Sequence, residues 1–232
     1  MEVTPYEPKN GFLNMLVYGA SGTGKTVFAA TSPTPLFLDM EGGLLSVAGR
    51  VDRAEIKSFG DLKEAYRYLK AGEHKYATVV LDSLTELEKI VMGAVLAEAG
   101  CEVPRHGEWN LWTTRMRDIV RAFRDLPMNV VMTALEAEIK DEVSGAVMKR
   151  PAMPGRFGFE LAGYFDLVLY LSLEREAESG TPVRHVRTVG DERLVAKDRF
   201  GKLPPFIESS FPLIYHAIFN QKKVRRLRKA AR

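Results

Sequence analysis

Gly19-Ala20-Ser21-Gly22-Thr23-Gly24-Lys25-Thr26 is a complete G-x-x-x-x-G-K-[ST] run. The chemistry of that spacing is the cradling of a polyphosphate. Glycines let successive backbone N–H groups turn inward, the lysine reaches the β- and γ-phosphates, and the threonine hydroxyl ligates Mg²⁺. The expected cofactors are ATP and Mg²⁺, with Lys25 on the phosphates and Thr26 on the metal. Such a loop also needs an acid at the end of a buried strand to hold the metal. Val79-Val80-Leu81 leads into Asp82, which supplies it. Hydrolysis further needs a group that orients the attacking water. The place directly after Asp82 holds Ser83, so the acid is sought in Leu38-Asp39-Met40-Glu41-Gly42-Gly43. Asp39 and Glu41 are two apart and project to one side of a strand, and the glycine pair permits a sharp turn. Glu41 is read as the water-polarising base, with Asp39 supporting it.

These residues require strands that end at one edge and helices that leave it. Positions 12–18 read as the strand feeding the loop, and 27–30 as the helix leaving it. Short strands are expected at 36–39 and 54–58, and a helix at 61–70. The near-continuous apolar run 76–81 fits a strand buried on both faces. Ser83 is a candidate N-cap, with Glu86 three residues on completing a capping box, and Leu84, Leu87, Val91 and Val95 form the stripe of the helix that follows. A helix at 108–124, a buried strand at 129–133 and a strand at 165–173 come next. Between them, 136–156 has no regular pattern. Residues 183–188 and 194–197 read as an antiparallel hairpin, and 210–219 as a last helix. Alternating strands and helices specify an α/β domain with a mainly parallel central sheet flanked by helices and a C-terminal antiparallel hairpin.

The chain of 232 residues suits one such domain, assigned to 1–220. The single cysteine, Cys101, excludes an internal disulfide and fits a reducing cytoplasm. No apolar run of membrane-spanning length and no charged-then-apolar leader is present, so neither a membrane partner nor secretion is expected. The four histidines have no metal-ligand spacing. Net charge is +3, but seven of the 33 basic residues fall in 221–232 with no acid among them, including Lys222, Lys223, Arg225, Arg226 and Arg228. The remaining body is net negative. An acidic body with a flexible basic tail fits contact with nucleic acid.

With the run 19–26, the D-x-E at 39–41, the sequence Val80-Leu81-Asp82-Ser83-Leu84-Thr85 and the late Ala196-Lys197-Asp198-Arg199-Phe200-Gly201-Lys202-Leu203-Pro204, the chain resembles the RecA-like P-loop ATPase core. Within that group it is most similar to the small phage RecA-like single-strand annealing and recombination ATPases. The resemblance implies head-to-tail homo-oligomers with ATP between subunits, where Lys197 and Arg199 act in trans on a neighbour's nucleotide. It implies a DNA-binding segment over about 138–159, where Lys140, Lys149, Arg150 and Arg156 lie near Phe157 and Phe159. Cations for phosphates beside aromatics for bases suit single-stranded DNA. A single-strand-binding protein is a further implied partner, and the cytoplasm, of the host for a phage protein, the implied location. One departure concerns the polar sensor expected at the end of the 129–133 strand: Leu135 or Glu136 stands there.

The function these features imply is an ATP-hydrolysing protein of DNA recombination or repair that binds single strands and promotes annealing or strand exchange. A ring-type motor or helicase uses the same core but brings further domains. A small-molecule kinase, with 151–156 as its lid, gains nothing from a basic tail or from Lys197 and Arg199. A nucleotide-gated interaction module is the remaining alternative, favoured by Leu135.

Overall fold

The computed structural model describes residues 11–140, 145, 147–175 and 181–219. The basic tail with Lys222, Lys223, Arg225, Arg226 and Arg228 lies outside the described residues. Strands β1 (Asn14–Gly19), β2 (Pro35–Asp39), β3 (Asp52–Glu55), β4 (Thr78–Asp82) and β5 (Asn129–Lys140) are followed by the short β6 (Val147–Pro151) and by β7 (Leu167–Arg175). All of these but β6 run parallel, side by side in the order β7-β1-β5-β4-β2-β3. Along β1, Leu16 and Tyr18 enter one apolar layer and Met15 and Val17 the other, as a period of two demands. Helices α1 (Lys25–Ala30) and α6 (Phe211–Phe219) cover the second layer. The first is covered by α2 (Phe59–Ala71), α3 (Leu84–Ala99), α4 (His106–Arg124) and the short α5 (Phe157–Glu160). The expected stripe of Leu84, Leu87, Val91 and Val95 is fully buried.

Four local expectations are corrected. The strand expected at 54–58 is β3, two residues earlier. Ser58 is free to cap α2 in a full capping box, its side chain accepting from the Asp61 amide while Asp61 accepts from the Ser58 amide. At α3 only half of a box forms: Ser83 Oγ accepts from the Glu86 amide at 3.4 Å, whereas the Glu86 carboxylate turns to Lys89 at 2.6 Å.

The hairpin between 183–188 and 194–197 does not form. The strand β8 (Pro182–Arg187) pairs antiparallel with β7, placing Val186 opposite Leu171. Val186 packs into the α1 layer and Leu194 into the opposite one, so the two segments serve different faces. The short β9 (Lys197–Asp198) pairs with the start of β7, and β10 (Phe206–Glu208) extends the antiparallel edge beyond β8.

The fourth correction bears on the site. β5 continues past Thr133 to Lys140, and its outer half pairs antiparallel with β6, from Glu136↔Pro151 to Lys140↔Val147. The stretch without pattern is thus largely a two-stranded ribbon projecting from the carboxyl edge. A ribbon whose residues are mostly half-buried or exposed needs no strict apolar alternation, which is why the sequence conceals it.

Candidate functional site

The run 19–26 sits where β1 ends, with Gly19 alongside Leu135 of β5. A Cβ on Gly19 would collide with the Leu171 backbone carbonyl of β7. Gly22 and Gly24 adopt φ of 79° and 97°, the left-handed region that favours glycine. Thr23 Oγ1 donates to the Ala20 carbonyl at 2.9 Å and closes the turn. Lys25 lies along the loop, its ammonium donating to the carbonyls of Gly19 (3.0 Å) and Ala20 (2.8 Å). Burial lowers the Lys25 pKa, and the carboxylates of Glu41, Asp82 and Glu136 oppose that shift.

Thr26 and Asp82, far apart in sequence, meet here. Thr26 Oγ1 donates to Asp82 Oδ2 at 2.9 Å, and Thr133 Oγ1 of β5 donates to Asp82 Oδ1 at 2.5 Å. Asp82 is 3% exposed. Burial pushes its pKa up, against the hydrogen bonds from Thr133 and Thr26; the charge of Asp39 adds to the rise and that of Lys25 opposes it. A buried carboxylate beside a hydroxyl is a pair of hard oxygen donors. Mg²⁺ characteristically takes one or two protein oxygens and fills its octahedron with phosphate and water. The donor set therefore fits that ion, and among the described residues no cluster of three His, Cys, Asp or Glu offers an all-protein cage.

Glu41 is placed differently from the expectation. β2 ends at Asp39, so Asp39 and Glu41 do not share a strand face. Asp39 is buried: Oδ1 accepts from the Gly42 amide at 2.7 Å and Oδ2 pairs with Arg53 at 2.9 Å. It pins the turn and does not touch Glu41. The exposed Glu41 is held instead by Ser83, whose hydroxyl donates to Glu41 Oε1. The residue directly after the Asp82 carboxylate thus brings in an acid from the turn that follows the neighbouring strand β2. Spacing alone marked Ser83 only as a cap.

Lys197 and Arg199 lie at the amino-terminal edge of the sheet, away from their own P-loop. Lys197 Nζ donates to the carbonyls of Ala162 (2.9 Å) and Phe165 (2.7 Å), and Arg199 pairs with Asp166 at 2.7 Å. Burial lowers the Lys197 pKa, reinforced by Arg199 and opposed by Asp166.

The candidate DNA residues divide. Lys140 is exposed at the outer end of β5, and Arg156 is exposed before α5. Lys149 turns inward, donating to Tyr170 Oη at 3.2 Å and to Glu136 Oε1 at 3.1 Å. Its ammonium is held charged, chiefly by the Tyr170 hydrogen bond and by Glu136, with burial opposing. Arg150 stacks its guanidinium 4.2 Å from the centre of the Phe159 ring. Two of its nitrogens, Nε and Nη1, are buried with no hydrogen-bond partner among the described residues. Phe159 is 66% exposed, while Phe157 is buried against Trp112. Of the two phenylalanines expected beside the cations, only Phe159 is open to a base.

A phosphate loop ending one parallel strand, an acid ending a second, and a third strand between them make up a P-loop ATPase core. The chain belongs to the AAA domain family, which matches residues 12–200. A curated relative is the SPbeta prophage-derived uncharacterized protein YorG of Bacillus subtilis (strain 168), 24% identical over 201 residues. The match takes in 82% of this chain and spans 60% of the length of that relative. Among solved structures, the KaiC-like protein PH0186 of Pyrococcus horikoshii OT3 is 16% identical with a TM-score of 0.42, covering 75% of this chain and 77% of its own. The RadB recombinase is 15% identical with a TM-score of 0.42, covering 75% and 79%. Among the described residues no helix is long and apolar enough to cross a membrane.

Proposed function

We propose that the protein is a Mg²⁺-dependent ATPase of phage DNA recombination or repair that binds single-stranded DNA and promotes annealing or strand exchange in the host cytoplasm. The observation that carries this reading is the course of β5. Its Thr133 hydroxyl holds Asp82, and seven residues later the same strand ends in the ribbon that bears Lys140 and leads to Arg150. Metal-site chemistry and a nucleic-acid surface thereby share one backbone.

In this reading Gly19 to Thr26 hold the phosphates, and Thr26 and Asp82 hold Mg²⁺, which offsets phosphate charge when bound. Glu41, oriented by Ser83, takes the water proton. Arg150, Arg156 and Lys140 contact the DNA backbone, with Phe159 stacking on a base and the basic tail adding phosphate contacts. Lys149, tied to Glu136 and Tyr170, braces the ribbon. Head-to-tail assembly would present Lys197 and Arg199 to a neighbour's nucleotide once their carbonyl and Asp166 contacts are exchanged, and a single-strand-binding protein is the expected co-operating partner. The prophage origin of the relative supports the phage setting.

The test is the ATPase rate without DNA and with single-stranded or duplex DNA, at low and moderate salt. Stimulation by single strands that falls steeply with salt is the expected result. Equal rates in all three conditions would refute the DNA role. A second reading, a nucleotide-gated interaction module, rests on one observation: apolar Leu135 lies beside Gly19, and Glu136 is engaged by Lys149. Tight ATP binding with negligible turnover under every condition would favour it.

A further inference from the structure

The β7–β8 hairpin reaches the P-loop from the side opposite β5, and no motif in it signals a role. Two contacts define the approach. The Leu171 carbonyl of β7 fills the space that a side chain on Gly19 would need. On β8, Arg184 does the same at Gly24: a Cβ there would lie 2.6 Å from Arg184 Nε and 2.9 Å from its Cδ.

The register explains how Arg184 gets there. Val186 stands opposite Leu171 and packs into the layer of α1, so Arg184, two residues away, is on the same face. Its partner on β7 is Leu173, two positions beyond Leu171 and therefore past the end of β1. Arg184 thus projects beyond the carboxyl edge of the sheet, on the α1 side, over the residue that precedes Lys25. The other arginine of β8, Arg187, is committed to Asp191. Arg184 is exposed and has no carboxylate partner among the described residues. An arginine left without an acid beside the loop that holds phosphates is a guanidinium waiting for an anion. Its planar fork matches phosphate oxygens two at a time.

We propose that Arg184 binds the phosphates of the nucleotide held by its own chain's P-loop, a cis-acting cation distinct from Lys25 and from the pair Lys197 and Arg199. The proposal rests on the nucleotide reading of the loop given above. It also accounts for a requirement for glycine at position 24 beyond its backbone angle, since any side chain there would displace the guanidinium.

The experiment measures binding of ATP, and of inorganic tripolyphosphate in competition with a fluorescent ATP analogue, to the full chain and its variants in Mg²⁺ buffer. Arg184→Ala is expected to weaken both ligands by the same factor, about 10- to 100-fold for a charge-assisted hydrogen bond. Arg184→Lys should restore part of the loss, and Arg184→Gln, which keeps the aliphatic stem on Gly24, should not. Loss of ATP binding with tripolyphosphate unaffected would overturn the proposal, because the contact would then be to base or sugar. Wild-type affinities in Arg184→Ala alongside a loss in Lys25→Ala would overturn it while leaving the nucleotide reading intact. Unchanged affinities in Lys25→Ala as well would remove that reading too.

Discussion

Removing the Ser83 hydroxyl isolates the link between Asp82 and Glu41. Ser83 is 2% exposed and makes two contacts, donating to Glu41 Oε1 and accepting the Glu86 amide at the start of α3. Ser83→Ala loses both. The cap is worth about 1 kcal/mol, equivalent to a fall in Tm of about 2–4 °C for a chain of this size. The hydrogen bond to a carboxylate is worth about 1.5–3 kcal/mol. If that energy holds Glu41 against the attacking water, its loss appears in the barrier and lowers kcat by about 10- to 100-fold. KM for ATP should stay within about twofold, because none of the loop's own hydrogen bonds is altered. Ser83→Gly separates the two effects: glycine caps almost as well as serine but has no hydroxyl, so Tm should hold while kcat falls as in Ser83→Ala. Ser83→Thr should keep both. Steady-state ATPase assays and thermal melts read these quantities. A wild-type kcat in Ser83→Gly, or an unchanged rate in Glu41→Gln, would refute the assignment of Glu41 as the water-orienting base.

Asp82→Asn should abolish ATP turnover and yet raise Tm at pH 7 by about 2–6 °C, a gain of the size seen when strained functional groups are neutralised. The sign follows from the raised pKa of Asp82. The folded chain keeps a proton in a pH window where the unfolded chain has lost it, so stability falls as pH rises through that window and the penalty is complete at neutral pH. Differential scanning calorimetry should show the gain shrinking as pH is lowered; a Tm below wild type at pH 7 would contradict it. Phe159→Ala should weaken single-stranded DNA binding by about tenfold, the scale of one base–aromatic stack, with basal ATPase unchanged; anisotropy of a labelled oligonucleotide measures it. Deleting 221–232 should flatten the dependence of log Kd on log salt by about 0.7 for each phosphate the tail neutralises, and an unchanged slope would exclude the tail from DNA binding.

Residues whose placement is fixed by local spacing were legible in the sequence. The loop 19–26 and the run into Asp82 carry their chemistry in consecutive positions, and the fold places Thr26 against Asp82 as that chemistry requires. Contacts set by register between distant strands were not. Thr133 and Ser83 acquire their contacts because β4 lies between β5 and β2, and Asp39 leaves Glu41 because β2 stops two residues too soon. Apart from Ile139, the outer end of β5 from Glu136 to Lys140 is written in Glu, Ala and Lys, residues with weak strand preference, so its pairing with β6 left little signal. Phe157 and Phe159 look equivalent two residues apart, but one turn of helix sends the first into the core against Trp112 and the second to solvent. Arg184 had the faintest trace of all, an arginine in phase with a buried valine.

The length of β5 has a mechanical consequence. From Thr133 to Lys140 the chain advances about 3.3 Å per residue, so the end of the ribbon stands about 23 Å from the hydroxyl that grips Asp82. Strands tied by ladder hydrogen bonds bend little along their length, and β5 stays paired with β1 as far as Leu135, so the stretch from there to Lys140 is an arm of about 17 Å. A tilt of about 7° at Leu135 would carry the tip through about 2 Å, enough to make or break a hydrogen bond at the far end. The loop edge of the sheet and the outer surface are joined by a stiff arm whose throw is set by its length.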